Sequence, residues 1–399
     1  MERKVHQSQA VRPPLMQTIN GILPTELFFQ IFHHLDVVDG PLGLGGALFV
    51  CRQWNTIILN DSHLWTNLVL NRIFIQQLVP SPAKLLNYIG RCDDLSGDHP
   101  IHLSVDIAAF YDHPDETVQQ PDRQRVASTS FSIFTIARAM ARTGSFKGRI
   151  RTLVFSGGHS QSLLPLRIIT TVMMGLVKEH LQHLELHRCR DGASRSIAGI
   201  PGSLETVFLL DPTWGACSLA PDGLISGRQL TFQRMSSWCS EDLIHIGQYQ
   251  NLTYLRLIWS PIRAAEPSSL VEVFHNPTIS ECTRHPVLLP SVTTLYIRGA
   301  VPFCILDSLN LPTLTMIDVR NHDFVRNHDF VQPLSTVRST TLHHTITKLV
   351  VRFTPETADG WSDTLAAILA EASQLQTLVV SSWMERHLLA SQIVELEFV

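Results

Sequence analysis

At 399 residues the chain is too long for a single compact core, so two domains or an elongated repeat array is expected. Hydrophobic residues make up 44% and charged residues only 17%, which excludes a disordered, heavily solvated chain and suits much buried strand. A net charge of -4 and a pI near 6.5 provide no global basic field for nucleic acid or an anionic membrane.

The N-terminal stretch MERKVHQSQAVRPPLMQ has basic residues but no apolar core, so it does not read as a secretory signal. Residues 1–18 read as a flexible tail. The longest apolar stretch, Leu163 to Val177, is interrupted by Pro165, Arg167 and two threonines, too short and broken to span a bilayer. Seven cysteines (Cys51, Cys92, Cys189, Cys217, Cys239, Cys282 and Cys304) form no C-x-x-C pair, and their number is odd. Reduced, mostly buried thiols are expected rather than a disulfide framework or a zinc site. A cytoplasmic and/or nuclear location follows as an expectation.

From Ile19 the pattern changes. Pro24 can open a helix, because its missing N–H is not needed in the first turn. Leu27, Phe28, Ile31, Phe32 and Leu35 then recur at helical spacing. A glycine-rich turn, Gly40 to Gly46, ends that helix. Ala47, Cys51, Trp54 and Ile58 make a second stripe, with Val50 and Ile57 beside it. Asp61 or Ser62 can cap a short third helix carrying Leu64 and Trp65. Three short helices over roughly fifty residues cannot hide so many large apolar side chains. Surplus apolar area on a small module implies a partner that covers it.

LPTELFFQIFHHL, then LFVCRQW, then DSHLW resembles the F-box pattern of Leu-Pro-x-Glu-Leu, Ile-Phe-x-x-Leu, Cys-Arg-x-Trp and a final Leu-Trp. The resemblance covers about Gly21 to Leu70, and the F-box is placed at 19–70. It implies docking onto a Skp-family adaptor and, through it, a cullin. By match to the motif the adaptor contacts are Leu23, Pro24, Leu27, Ile31, Phe32 and Leu35. Val50, Cys51, Trp54, Leu64 and Trp65 are either contacts or the small core that positions them, with Trp54 read as core. LLNYIGRCDDLSGDHPIHLSV is similar to a segment that follows the F-box in mushroom-forming fungi, with Cys92 where a serine is usual and DDLSGDH inserted. Residues 71–148 read as a linker or adapter segment with helices and a strand.

Beyond 149 an apolar triplet recurs at i, i+3, i+5. Examples are Ile150-Leu153-Phe155, Leu181-Leu184-Leu186, Leu204-Val207-Leu209, Leu252-Leu255-Leu257 and Val292-Leu295-Ile297. It returns at Leu314-Ile317-Val319, Ile346-Leu349-Val351, Leu375-Leu378-Val380 and Ile393-Leu396-Phe398, with a partial copy at Leu230 and Phe232. The last two positions lie on one face of a strand, and the first fills the turn before it. Such units bury that face only by stacking on one another. Amphipathic stretches such as Leu163 to Lys178 and Ser362 to Ser373 would form outer helices. The expected fold is therefore an α/β solenoid: a three-helix F-box, then an irregular leucine-rich-repeat-like array over 149–399 with a parallel concave sheet. The asparagine usual after such a triplet is missing. RNHDFV occurs twice in tandem, at Arg320 to Val325 and Arg326 to Val331, and reads as a duplicated loop insertion.

No constellation points to catalysis, a metal or a cofactor. Gly158-His159-Ser160-Gln161-Ser162 resembles a nucleophile elbow but lacks the small final residue and an oxyanion segment, leaving a hydrolase centred on Ser160 as a remote alternative. His180, His183 and His187 read as surface histidines, since a metal would need a further ligand. Gly43, Gly45 and Gly46 read as a turn rather than a phosphate cradle. Strand residues between the buried positions should line the concave face. They are His183, Glu185 and His187, Thr206 and Phe208, and Tyr254, Arg256 and Ile258. Thr294, Tyr296 and Arg298 follow, then Met316, Asp318 and Arg320, then Lys348, Val350 and Arg352. Among them Arg256, Arg298, Arg320, Lys348 and Arg352, with Tyr254 and Tyr296, make a basic stripe suited to an acidic or phosphorylated peptide. The alternative is that these are solvated charges that keep the sheet soluble.

The expected function is a non-catalytic substrate-recognition adaptor of a Skp-cullin-F-box type ubiquitin ligase, whose solenoid binds the protein to be ubiquitylated, with no nucleic acid or membrane partner. A scaffold that uses the F-box without ubiquitylation is the alternative.

Overall fold

The computed structural model describes residues 24–110, 122–143, 145–156, 163–177, 179–188, 204–211, 227–234, 238, 240–249, 251–259, 287–299, 301, 305, 308–320, 345–352, 369, 372–380 and 395–398. Helix α1 (Thr25–Asp39) turns Phe28 and Phe32 inward, one helical turn apart, and both are fully buried. Trp54, on α2 (Arg52–Asn60), meets both rings, with centroids 5.6 and 5.2 Å away. Cys51 caps α2, its Sγ accepting from the Trp54 N–H. Asp61 caps a 3-10 turn, Ser62–Trp65, by accepting from the His63 N–H at 3.1 Å. Within that turn Trp65 is buried and donates from Nε1 to the Ile58 carbonyl at 2.8 Å. Gly40 ends α1 at φ +64; a Cβ there would sit 2.7 Å from the Asn67 carbonyl oxygen, so only glycine lets the chain pass.

Strands β1 (Asn67–Leu70), β2 (Ile101–Asp106), β3 (Ile150–Ser156), β4 (His183–His187), β5 (Thr206–Leu210) and β6 (Gln229–Arg234) follow in space as in sequence. The sheet continues through β7 (Tyr254–Trp259), β9 (Thr294–Arg298), β11 (Met316–Arg320), β12 (Lys348–Arg352), β13 (Thr377–Val380) and β14 (Glu395–Phe398), twelve strands in chain order. Every pairing is parallel. A parallel sheet whose order never reverses is a solenoid, each unit resting only on its neighbours. β8 (Val287–Leu288) and β10 (Leu309–Asn310) make a separate parallel pair.

The triplet behaves as its spacing dictates. Leu181, Leu204, Leu252, Val292, Leu314, Ile346 and Leu375 are buried in the turns before their strands, and the two strand positions that follow each are buried too. Ile150 differs: it lies inside β3, where the register with β2 shifts beside Ile101. Ile393 lies outside the described residues, as do most of Ser362 to Ser373 and of the RNHDFV repeat. Leu163 to Val177 is helical, as α7 (Leu163–Val177), and Lys178 lies outside the described residues.

A ladder of threonines links successive units at the start of their strands. Thr253, Thr293, Thr315 and Thr347 each follow the first triplet residue. The Oγ1 of each donates to the carbonyl one unit back: Thr253 to Arg228, Thr293 to Thr253, Thr315 to Thr293, and Thr347 to Thr315, at 3.1 to 3.2 Å. The same carbonyls accept the threonines' own backbone N–H groups at 2.8 to 2.9 Å.

The sheet begins before residue 149. Trp65-Leu68-Leu70 has the i, i+3, i+5 spacing with an aromatic residue first, and the His102 N–H donates to the Thr66 carbonyl at 2.8 Å just as later units do. The third F-box turn is thus also the lead-in to the first repeat. Residues 71–148, expected as a linker or adapter segment with helices and a strand, hold the strand β2 and the helices α3 (Arg72–Leu78), α4 (Pro82–Ser96), α5 (Asp122–Arg142) and the start of α6 (Phe146–Arg149). A single apolar cluster runs from Phe28 to Val380. Arg149 ties α4 to the array: its Nη1 donates to the Ser96 hydroxyl and the His99 carbonyl, both 3.1 Å, and its Nη2 pairs with the Asp93 carboxylate. Arg149 also donates to the Asp93 carbonyl at 3.2 Å and to the Gly97 carbonyl, which satisfies part of the open carbonyl end of α4.

Candidate functional site: a docking face and an arginine row

The F-box candidates separate into two sets. Phe32, Leu64 and Trp65 are buried, Trp54 packs on Phe28 and Phe32, and Leu35 is partly buried against the same core. Cys51 is half-buried at its capping position. These residues build the module. Pro24 is exposed just before α1, Leu27 and Ile31 are partly exposed beside the buried Phe28 and Phe32 on that helix, and Val50 is exposed beyond the glycine turn. Leu23 lies outside the described residues. Two further aromatics, Phe29 and Phe49, are exposed with them; Phe49 is 89% exposed. Sequence patterning passed over these two because Phe29 falls off the helical stripe and Phe49 sits in a 3-10 turn, Ala47–Phe49, with no period to mark it. Exposed apolar side chains this numerous on one small module offer surface to a complementary apolar partner.

On the array, register decides which candidates meet. Arg298, Arg320 and Arg352 are Cα partners on β9, β11 and β12, forming one row near the C-terminal ends of the strands. Arg256, Tyr296 and Asp318 form a second row with Val350. Tyr254, Thr294, Met316 and Lys348 form a third, so Lys348 and Tyr254 stand apart from the arginine row. Tyr296, expected on the open face, is only 6% exposed. The guanidinium groups of Arg256 and Arg320, from the strands on either side, lie over its ring at 4.5 and 5.1 Å. Asp318 and Val350 are likewise buried, so the middle row is closed where a solvated one was expected.

Asp318 holds Arg320 by hydrogen bonds to Nε and Nη2, and this bonding pushes the Arg320 pKa up. Burial pushes the Tyr254 hydroxyl up, with Arg256 opposing it. Among the described residues, Asp318 is the one carboxylate bonded to any of Arg256, Arg298, Arg320 and Arg352. The Nε atoms of Arg256 and Arg352 are buried without a hydrogen-bond partner.

At the other end of the face His187 bonds Glu185 at 2.8 Å and meets the Phe208 ring edge-on, while His180 and His183 are exposed. Among the described residues no group of three or more His, Cys, Asp or Glu could hold a metal ion, and no helix is long and apolar enough to cross a membrane. Gly158 to Ser162, with Ser160, lie outside the described residues. A buried cluster escaped sequence reading: Arg234 pairs with Asp242 and lies 3.7 Å from Asp211, with His245 beside them, all at most 8% exposed.

A family model described as F-box-like matches residues 21–71. No curated protein sequence matches the chain. Among solved structures it is similar to the leucine-rich repeat-containing protein LegL7 from Legionella pneumophila. That likeness has 13% identity and a TM-score of 0.41, over 84% of this chain and 89% of that one. A second likeness is to the TLR13–ssRNA13 complex, with 12% identity, a TM-score of 0.34, 75% of this chain covered and 38% of that one. Residues 21–71 are an F-box-like module, and the array built onto it is a leucine-rich-repeat-like α/β solenoid, on the order and register of its own strands.

Proposed function

We propose that this protein is a non-catalytic adaptor. Its F-box-like module docks onto a Skp-family adaptor, and its solenoid holds a client protein for ubiquitylation by a cullin-based ligase. The observation that carries this reading is that Leu27, Ile31, Phe49 and Val50 are left exposed on a module whose own core is already complete with Phe28, Phe32 and Trp54. Their exposed surface is available to a partner; burying Phe49 would contribute roughly 1.5–3 kcal/mol, and burying the remainder of Leu27 and Ile31 about half of that or less. The continuous core supports the rest: a rigid sheet fused to the docking module fixes the client relative to the ligase, which raises the effective concentration of a substrate lysine.

Affinity purification of the full chain from cells with the proteasome blocked tests this. The adaptor reading expects the Skp-family protein, a cullin and ubiquitylated clients together. Recovery of the Skp-family protein without cullin or ubiquitylated clients would make the chain an F-box scaffold, and recovery of neither would refute the reading.

A further inference from the structure

Adjacent strands lie about 4.8 Å apart, so Arg298, Arg320 and Arg352 present three guanidinium groups along a strip about 10 Å long. Arg256 stands on β7, next to β9, and shares the Tyr296 ring with Arg320. Four arginines thus stand on four adjacent strands with one carboxylate among them, Asp318, bonded to Arg320, in a chain whose net charge is -4. Holding like charges this close costs free energy that a bound anion would recover. Asp318 occupies Nε and Nη2 of Arg320 and leaves Nη1 without a bond among the described residues.

The size of the excess selects the anion. A carboxylate offers two oxygens and accepts one arginine fork. A phosphate monoester carries about -1.5 to -2 charge and three acceptor oxygens, enough for more than one guanidinium. We propose that the Arg298–Arg320–Arg352 row binds a phosphorylated serine or threonine in an extended segment of the client. Arg298 and Arg352 supply the forks, and Arg320 adds Nη1 while Asp318 holds it in place. Tyr296 touches no ligand in this arrangement; it is the platform that aligns Arg256 and Arg320. A nucleic acid would call for a longer basic track, since each phosphodiester adds a single charge and affinity accumulates over many contacts. Among the described residues the row spans three strands. Only the word client rests on the adaptor reading; the phosphate site stands on the register.

The test uses the full chain and a degenerate nonapeptide library with phosphoserine or phosphothreonine fixed at its centre. Unphosphorylated and glutamate-centred libraries and a poly-uridine RNA serve as comparisons, with binding read by fluorescence polarisation. The phosphorylated library is expected to bind at least about tenfold more tightly than the others, one such factor being a modest share of a charge-assisted fork. The paired substitution Arg298→Ala with Arg352→Ala should remove that advantage, and the paired change to Lys should restore only part of it, because lysine cannot form the fork. Capture of the Skp-family adaptor by each variant reports folding and the docking module separately. Equal binding of all libraries, binding to none, tighter binding to RNA, or an advantage that survives both substitutions would each overturn the phosphate site. Adaptor capture that persists in those cases leaves the docking reading intact, and phosphopeptide binding without adaptor capture would do the reverse.

Discussion

At the scale of single residues, burial sorts side chains that the sequence treats as equals. Leu27, Phe28, Ile31 and Phe32 all sit on one wide helical stripe, and helical periodicity cannot say which pair faces inward. Trp54 decides it: its indole meets Phe28 and Phe32, which leaves Leu27 and Ile31 outside. His245 shows another consequence of burial invisible in sequence. Enclosed beside the Arg234 guanidinium, its pKa is pushed down to about 3, with burial the larger cause. In the unfolded chain an imidazole takes its proton near 6.5. Between those values the unfolded chain binds a proton that the folded one refuses, so stability is full above 6.5 and falls as the pH drops. The slope reaches about 1.4 kcal/mol per pH unit for one such group. Urea unfolding at pH 7.5 and 5.5 should show this loss in the wild type, and His245→Gln should lessen it by about 1 kcal/mol. An identical loss in both proteins would mean that His245 is not held neutral.

At the scale of elements, the strands were legible and their beginning was not. The aliphatic triplet marks each later strand because two residues must face the core and one must plug the preceding turn. Trp65-Leu68-Leu70 follows the same geometry but hides behind an aromatic first residue that also completes the F-box motif. The junction therefore looked like a boundary and is a seam. Gly40 is where the seam is tightest. Gly40→Ala places a Cβ against the Asn67 carbonyl in a left-handed conformation, and should cost at least about 1–2 kcal/mol, lowering the melting temperature. Gly46→Ala, at φ -66 with open space around it, should leave stability unchanged or slightly raised. Equal effects of the two would show that the close approach of α1 to β1 does not matter.

At the scale of the whole molecule, chain order becomes spatial order because each unit offers its neighbour the same apolar face and the same carbonyl. The threonine ladder was readable in principle, since Thr253, Thr293, Thr315 and Thr347 share one position relative to their triplets, but a search for asparagine passes over it. The arginine row was legible as a stripe; its division into rows, and the burial of Tyr296, needed the register. Thr293→Val with Thr315→Val keeps shape while removing two hydroxyl bonds, and should destabilise the array by about 0.5–1.5 kcal/mol per bond. Denaturant unfolding checks this; no change would mean that the backbone bonds alone hold the stack.

If Leu27, Ile31, Phe49 and Val50 are exposed for docking, isothermal titration of the full chain with a Skp-family adaptor shows it directly. Saturable one-to-one binding with a negative heat-capacity change is expected, as apolar burial requires. Phe49→Ser and Val50→Asp should each weaken binding at least about tenfold while moving stability by no more than about 0.5 kcal/mol. Undetectable binding, or binding that both variants leave unchanged, would contradict docking there.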